Sequence, residues 1–211
     1  MSDDVHMRRA IALARSRLGT TWPNPVVGCV IVRGGAFMSE AVTGPGGPDS
    51  AAQRLHAEEQ ALIAAGDAAA GGDAYITLEP CARRSSGRPS CADRLIAAKI
   101  ARAVVACEDP SPLAAGRGLA RLAAAGIAVE TGCLAGEAED LYAGYRRRLE
   151  TGRPLVEAAE KGYGFDAAFN PEPGEDFVQA LQRFGADGYT RLWVESGGEL
   201  AALLGEQGLL D

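Results

Sequence analysis

The sequence predicts an α/β layered domain with a largely parallel sheet, followed by a shorter acidic segment. From His6 to Val129, apolar runs of helical and strand-like character alternate with short connections, the order expected of β and α layers packed on one another. Near Gly152-Arg153-Pro154 that alternation gives way to polar, acidic sequence broken by glycine and proline. The chain has 211 residues, 47% of them apolar, enough to bury a core without disulfide staples.

The elements follow in order. Met7, Ile11, Leu13, Ala14 and Leu18 recur at helical spacing, so His6 to Leu18 reads as a first helix. Pro23-Asn24-Pro25 breaks it, and Val26 to Val32 is a nearly continuous valine-rich run, as in a strand buried on both faces. Gly34-Gly35 is a turn and residues 44–50 are a glycine- and proline-rich loop. Leu55 to Ala70 is a second helix and Ala74 to Leu78 a second strand. Cys91 to Ile100 is a third helix, Ala103 to Ala106 a third strand and Asp109-Pro110-Ser111-Pro112 a turn. Leu119 to Ala125 and Ile127 to Val129 close the series as a fourth helix and strand. No regular structure is expected over residues 157–176; beyond it Val178 to Phe184 and Glu199 to Leu204 read as helices around a strand at Leu192 to Glu195. Some sixty residues make a marginal core, so this part leans on the first domain or on a partner chain.

Charge and cysteine content exclude several classes. The formal charge is −7, and residues 151–211, with 4 basic and 11 acidic side chains, carry the whole excess. Neither part offers the basic face that nucleic-acid binding needs. No apolar run is long enough to span a membrane, and the acidic start lacks the basic and apolar stretches of a secretory signal, so the expected location is the cytosol. Five cysteines suit reduced thiols or metal ligands better than a disulfide framework.

Chemistry concentrates at helix starts and strand ends. His56-Ala57-Glu58 opens the second helix, and Pro80-Cys81, with Cys91 ten positions on, stands between the second strand and the third helix. One imidazole and two thiolates are a sufficient ligand set for a catalytic zinc, which keeps its fourth position open. Cys91 at a helix N-terminus is favoured as thiolate. Glu58 is too close to His56 in sequence to be a convenient second ligand, but it is well placed to carry protons. This His-x-Glu element with a later Pro-Cys and a second cysteine is the signature of zinc deaminases, in which the glutamate is general acid and base. Cys29, Cys107 and Cys133 read as core packing, and His6, beside Asp3 and Asp4, as solvated.

Taken in order, Pro23-Asn24-Pro25-Val26-Val27-Gly28-Cys29-Val30-Ile31-Val32, His56-Ala57-Glu58, Thr77-Leu78-Glu79-Pro80-Cys81, Asp109-Pro110-Ser111-Pro112 and Ala115-Gly116-Arg117-Gly118 resemble the deaminase domain of the bifunctional riboflavin biosynthesis proteins of the RibD family. The resemblance runs from about residue 6 to residue 153. It implies a cytidine deaminase-like, three-layer α/β/α domain over residues 1–153 with a mostly parallel or mixed sheet, and a truncated reductase-like remnant over 154–211 serving packing or dimerisation. It implies zinc on His56, Cys81 and Cys91, proton transfer by Glu58, and substrate contacts from Asn24, Ala57, Arg88, Asp109 and Ser111. The implied reaction is hydrolytic deamination of 2,5-diamino-6-(phosphoribosylamino)pyrimidin-4-one with release of ammonia and without reductase activity. The implied partners are that small phosphorylated aminopyrimidine and a second copy of the chain, in a homodimer or higher assembly.

The loop between the cysteines, Cys81-Ala-Arg-Arg-Ser-Ser-Gly-Arg-Pro-Ser-Cys91, departs from the family pattern: it is one residue longer and lacks a histidine. Thr43 stands where the family has a histidine, and Ser111 where asparagine is usual. These changes touch substrate recognition and leave the metal ligands alone. Arg83, Arg84 and Arg88 are either a phosphate cradle or solvated loop arginines. Two other readings of the chain stay open, a deaminase of the same stock acting on another heterocycle and a non-catalytic, zinc-stabilised binding subunit.

Overall fold

A computed structural model describes residues 2–47, 55–84, 87–111 and 114–211. The expected loop at 44–50 and the expected turn at 109–112 therefore lie partly outside the described residues.

The elements are α1 (Asp3–Arg15), β1 (Gly28–Arg33), β2 (Ala36–Val42), α2 (Ala57–Ala65), β3 (Asp73–Leu78), α3 (Cys91–Ala97), β4 (Arg102–Cys107), α4 (Arg117–Ala124), β5 (Ala128–Thr131), α5 (Ala135–Ala138), α6 (Ala143–Thr151), β6 (Leu155–Ala159), β7 (Ala167–Ala168), α7 (Phe177–Ala186), β8 (Arg191–Glu195) and α8 (Glu199–Glu206). A first sheet has the order β2-β1-β3-β4-β5. Its β3, β4 and β5 run parallel, whereas β1 is antiparallel to both neighbours. The sheet is thus mixed rather than largely parallel. The cause is the Gly34-Gly35 turn, in which both residues take positive φ (57° and 79°), as a tight hairpin requires.

β1 shows why the core has two sides. Its alternate residues Val30 and Val32 join Met7, Ala10, Ile11 and Ala14 of α1 on one face of the sheet. Cys29 and Ile31 point the other way, toward Ala57 and Ala61 of α2, Leu95 of α3 and Leu122 of α4. Helices cover both faces, giving three layers. Cys29 and Cys107 are core residues and Cys133 packs against the same core, as expected. His6 is not solvated: it is buried, its ring centroid 4.9 Å from that of Tyr75.

A second sheet, β6-β8-β7, is all parallel and lies within the segment after Pro154. Val156, Phe169, Leu181, Phe184, Leu192 and Leu204 form its core, so residues 155–159 and 167–168 are strands where none was expected. This part packs on the first through named contacts. Arg148 donates to the Gly185 carbonyl (2.9 Å), and the buried Arg191 donates to the Asp140 carbonyl (2.9 Å) while pairing with Glu157 (2.7 Å).

Candidate active site and its family

The carboxyl end of β3 and the amino ends of α2 and α3 meet at one place on the α2/α3 face of the first sheet. His56 is the N-cap of α2. Cys81 follows β3 by three residues, and Cys91 is the first residue of α3. The start of α3 is fixed by a capping box. Ser90 Oγ accepts from the Asp93 N–H (3.1 Å), and Asp93 in turn accepts from the Ser90 N–H (3.2 Å). The Cys91 N–H is left to point at the Cys81 sulfur, 3.3 Å away.

Three donor atoms converge there. His56 Nδ1 is 3.2 Å from Cys91 Sγ and 3.8 Å from Cys81 Sγ, and all three lie within 4.8 Å of one another. This is the one group of metal-ligating side chains among the described residues. The Cys91 thiol hydrogen-bonds to Cys81 and, with His56, holds the Cys81 thiol well below its ordinary range. The same proton, together with burial, pushes Cys91 up. A cation between the two sulfurs would replace that proton.

Glu58, two residues along α2, is buried and its Oε2 has no hydrogen-bond partner among the described residues. Burial raises its pKa, while the nearby His56 opposes that shift. A buried carboxylate oxygen without a partner is expensive unless a ligand supplies one. The site therefore holds metal donors and an unsatisfied acid side by side.

Ala57 is buried in the first turn of α2. Asp109 follows β4, where burial raises its pKa and its carboxylate accepts from the Ser111 N–H (2.8 Å). Asn24 is fixed through its backbone, its N–H donating to the Thr21 carbonyl (3.2 Å) and its carbonyl accepting from the Thr21 hydroxyl (3.1 Å). Thr43 Oγ1 accepts from the Val27 N–H (2.9 Å).

Two of the three loop arginines are held by one carboxylate. Arg84 is buried and pairs with Glu59 (2.6 Å); Arg88, half-buried, reaches the same carboxylate at 2.5 Å, and Arg94 of α3 at 2.7 Å. Arg84 is thus no solvated loop residue, and Arg88 is engaged with Glu59. Arg83 is exposed.

Sequence reasoning missed two organising carboxylates. Glu59 ties the loop between the cysteines to α2. Glu79, at the end of β3, accepts from the backbone N–H groups of Asp109, Gly116, Gly118 and Leu119 and so fixes the start of α4 beside Cys81. An uninterrupted Glu58-Glu59 pair on an alanine-rich helix was the available signal for the first. The second, Glu79, stood inside the Thr77-Leu78-Glu79-Pro80-Cys81 motif, but nothing there marked its four backbone partners.

Residues 1–107 match the family described as the cytidine and deoxycytidylate deaminase zinc-binding region. The chain is also 42% identical over 154 residues to the diaminohydroxyphosphoribosylamino-pyrimidine deaminase of Buchnera aphidicola, across 73% of this chain and all of that one. The chain belongs to this deaminase family, on its RibD branch. The match to Escherichia coli riboflavin biosynthesis protein RibD is 47% identity over 158 residues, 74% of this chain and 41% of that protein. The chain thus spans about two fifths of the length of the RibD proteins it matches. Among solved structures, Acinetobacter baumannii RibD superposes with a TM-score of 0.81 at 27% identity, covering 99% of this chain and 84% of that one. The Thermotoga maritima diaminohydroxyphosphoribosylaminopyrimidine deaminase/5-amino-6-(5-phosphoribosylamino)uracil reductase gives 0.67 at 30% identity, over 79% and 44%. The family fold is the cytidine deaminase-like α/β/α layering described above, and family members are hydrolytic deaminases. No helix among the described residues is long and apolar enough to cross a membrane.

Proposed function

We propose that this protein is a zinc-dependent deaminase that hydrolyses 2,5-diamino-6-(phosphoribosylamino)pyrimidin-4-one to the corresponding uracil with release of ammonia, a cytosolic step of riboflavin biosynthesis, and that it does so without reductase activity. The observation that carries the reading is the convergence of His56, Cys81 and Cys91 beside Glu58, whose buried Oε2 lacks a partner among the described residues. One imidazole and two thiolates suit zinc, which takes three protein ligands at catalytic sites and leaves a position open.

Bound there, zinc would lower the pKa of a water from about 15.7 toward ~7. The protein's own groups do the rest. Glu58 accepts a proton as water oxygen adds to the ring carbon that bears the amino group. It returns that proton to the amino nitrogen; the C–N bond breaks and ammonia leaves, while the second proton of the added oxygen passes to the ring nitrogen, so that a carbonyl remains. The upward shift of Glu58 suits a group that must hold a proton and give it back. Asn24, Ala57, Asp109 and Ser111 orient the heterocycle. Arg88 is the cationic group for the sugar phosphate, its exposed side turned to a cavity of about 330 Å3 that Arg83 and Arg121 also line.

The absence of reductase activity is supported by charge. The cavity of about 320 Å3 at the carboxyl ends of β7 and β8 is rimmed by the exposed Glu195 and Glu199, which oppose a dinucleotide pyrophosphate. We assign residues 154–211 a packing role, and expect at least a homodimer.

The test is a substrate panel with metal analysis on the purified protein. About one zinc per chain and ammonia from the phosphorylated diaminopyrimidinone support the reading. Zinc with turnover only on other aminopyrimidines transfers the chemistry to another substrate, and zinc without turnover leaves a binding subunit. Oxidation of NADPH with the deaminated product refutes the loss of reductase activity.

A further inference from the structure

We propose that Tyr189, in the acidic segment far from the cysteines in sequence, is a positioning residue that fixes the Trp22–Asn24 loop at the edge of the deaminase site. The role in substrate binding rests on the reading of Asn24 as a substrate contact. The geometric role does not.

The contact is a ring stack. Tyr189 and Trp22 have ring centroids 4.2 Å apart and planes inclined by 24°, a close stack of the two rings. Tyr189 is held from behind. Its N–H donates to the Phe184 carbonyl (3.0 Å), and its ring packs edge-on against Phe184, 5.3 Å between centroids. Phe184 belongs to the core of the second sheet and lies 5.7 Å from Phe169. Beside the stack, Gly188 sits against Pro23: a Cβ at position 188 would fall 2.7 Å from Pro23 Cβ, and φ there is +99°. Only glycine accepts both conditions.

On its other side the loop is tied to the metal-site helix. The Trp22 carbonyl accepts from the Gly47 N–H (2.9 Å) and the Thr20 carbonyl from the Gly46 N–H (2.7 Å). Gly44, on the same strand exit, donates to the Leu55 carbonyl (3.0 Å), and Leu55 directly precedes His56. Gln60 of α2 adds a bond from its side chain to the Val42 carbonyl (2.7 Å). The Trp22–Asn24 loop is therefore clamped between the second sheet and the segment leading into α2. Removing the Tyr189 ring would free one side of the clamp and leave the metal donors untouched.

The experiment uses the full chain with Tyr189→Ala and Tyr189→Phe, each also in a Trp193→Phe background so that Trp22 is the sole tryptophan. Tyr189→Ala is expected to raise acrylamide quenching of Trp22 and to lower kcat/KM for the phosphorylated aminopyrimidine about tenfold or more, mostly through KM, as a substrate contact drifts. Zinc content should match the parent. Tyr189→Phe keeps the stack and should restore both readouts. Parental quenching of Trp22 in Tyr189→Ala overturns the proposal, as does an unchanged KM in an active enzyme. If the parent releases no ammonia from any aminopyrimidine, the deaminase reading fails, and the quenching comparison still decides whether Tyr189 holds the loop.

Discussion

Glu59 and Arg84 form a buried ion pair, 2.6 Å between Oε2 and Nη1, with the two side chains 1% and 5% exposed. Arg88 and Arg94 share the same carboxylate. One carboxylate thus holds three guanidiniums, and the excess positive charge stands beside two sulfurs: Arg84 is itself close enough to Cys91 and Cys81 to feel their charge. The pair joins α2, which carries His56, to the loop that carries both cysteines. Removing Glu59 would leave Arg84 buried without its counter-charge. Glu59→Ala is therefore expected to lower stability by about 3–5 kcal/mol, read as a shift in denaturant midpoint, and to speed zinc loss to a chelator. Arg88→Ala, at the half-exposed end of the cluster, should change stability by less than about 1 kcal/mol. Equal losses from the two variants would show that the cluster does not organise the loop.

The unpaired oxygen of Glu58 separates its role from that of the ligands. Glu58→Gln keeps the size of the side chain and removes its capacity to cycle a proton. Zinc content should stay near that of the parent while ammonia release falls by about two to four orders of magnitude, the usual worth of general acid–base catalysis. Cys91→Ser, in contrast, should lose both zinc and turnover. Retained activity in Glu58→Gln would discard the proton-transfer role.

Much of this was legible because it is local. The β1 run from Val26 to Val32 announces a central strand, since alternate side chains fill two different cores. His56, Glu58, Cys81 and Cys91 were legible because their chemistry is rare and their spacing places them at helix starts. β2 was not, since an edge strand with one buried residue carries no apolar run. α6 was not either: it contains Arg146, Arg147 and Arg148 and buries only Gly144, so it has no stripe to detect. β6 and β7 escaped notice because they gain stability only from β8 and the helices around it, which are distant in sequence. Glu59 showed only as a second acid beside Glu58, and its role was hidden for a related reason. Its three partners come from two other segments, and no pattern within α2 reveals them.

The start of α1 carries a pH-dependent tie. Asp3 pairs with Arg102 (2.5 Å) and accepts from the Tyr75 hydroxyl (2.7 Å), and these bonds hold its carboxyl down to about 2 from an ordinary value of 3.8. A carboxyl depressed in the folded state contributes stability above its unfolded pKa, and that contribution fades as pH falls through the folded value. The contribution should be complete above about pH 4 and gone below about pH 2. The side chain is 38% exposed, so solvent screening keeps the effect small. Asp3→Asn should be less stable than the parent at neutral pH, and the gap between their midpoints should narrow on acidification through this window. A gap that stays constant to pH 2 would remove Asp3 from the account.

Gly118 links the metal loop to α4 by a contact that no side chain can share. A Cβ at this position would run into the Pro80 carbonyl oxygen, and Pro80 directly precedes Cys81. The Gly118 N–H donates to Glu79 (2.7 Å), so neither partner can retreat without breaking a buried bond. Gly118→Ala is thus an overpacking change, expected to lower stability by about 1–3 kcal/mol. It should also displace Cys81 and weaken zinc binding, although residue 118 is no ligand. Gly136→Ala is the control, since a Cβ there meets nothing within 4 Å and α5 packs on the α1 side of the sheet, not on the side of α2 and α3 that carries His56 and Cys91. Chelator competition and thermal unfolding of the two variants give the comparison. Parental zinc affinity in Gly118→Ala would mean that the Pro80–Cys81 turn can shift without moving the ligand sulfur, and the coupling of α4 to the metal site would have to be abandoned.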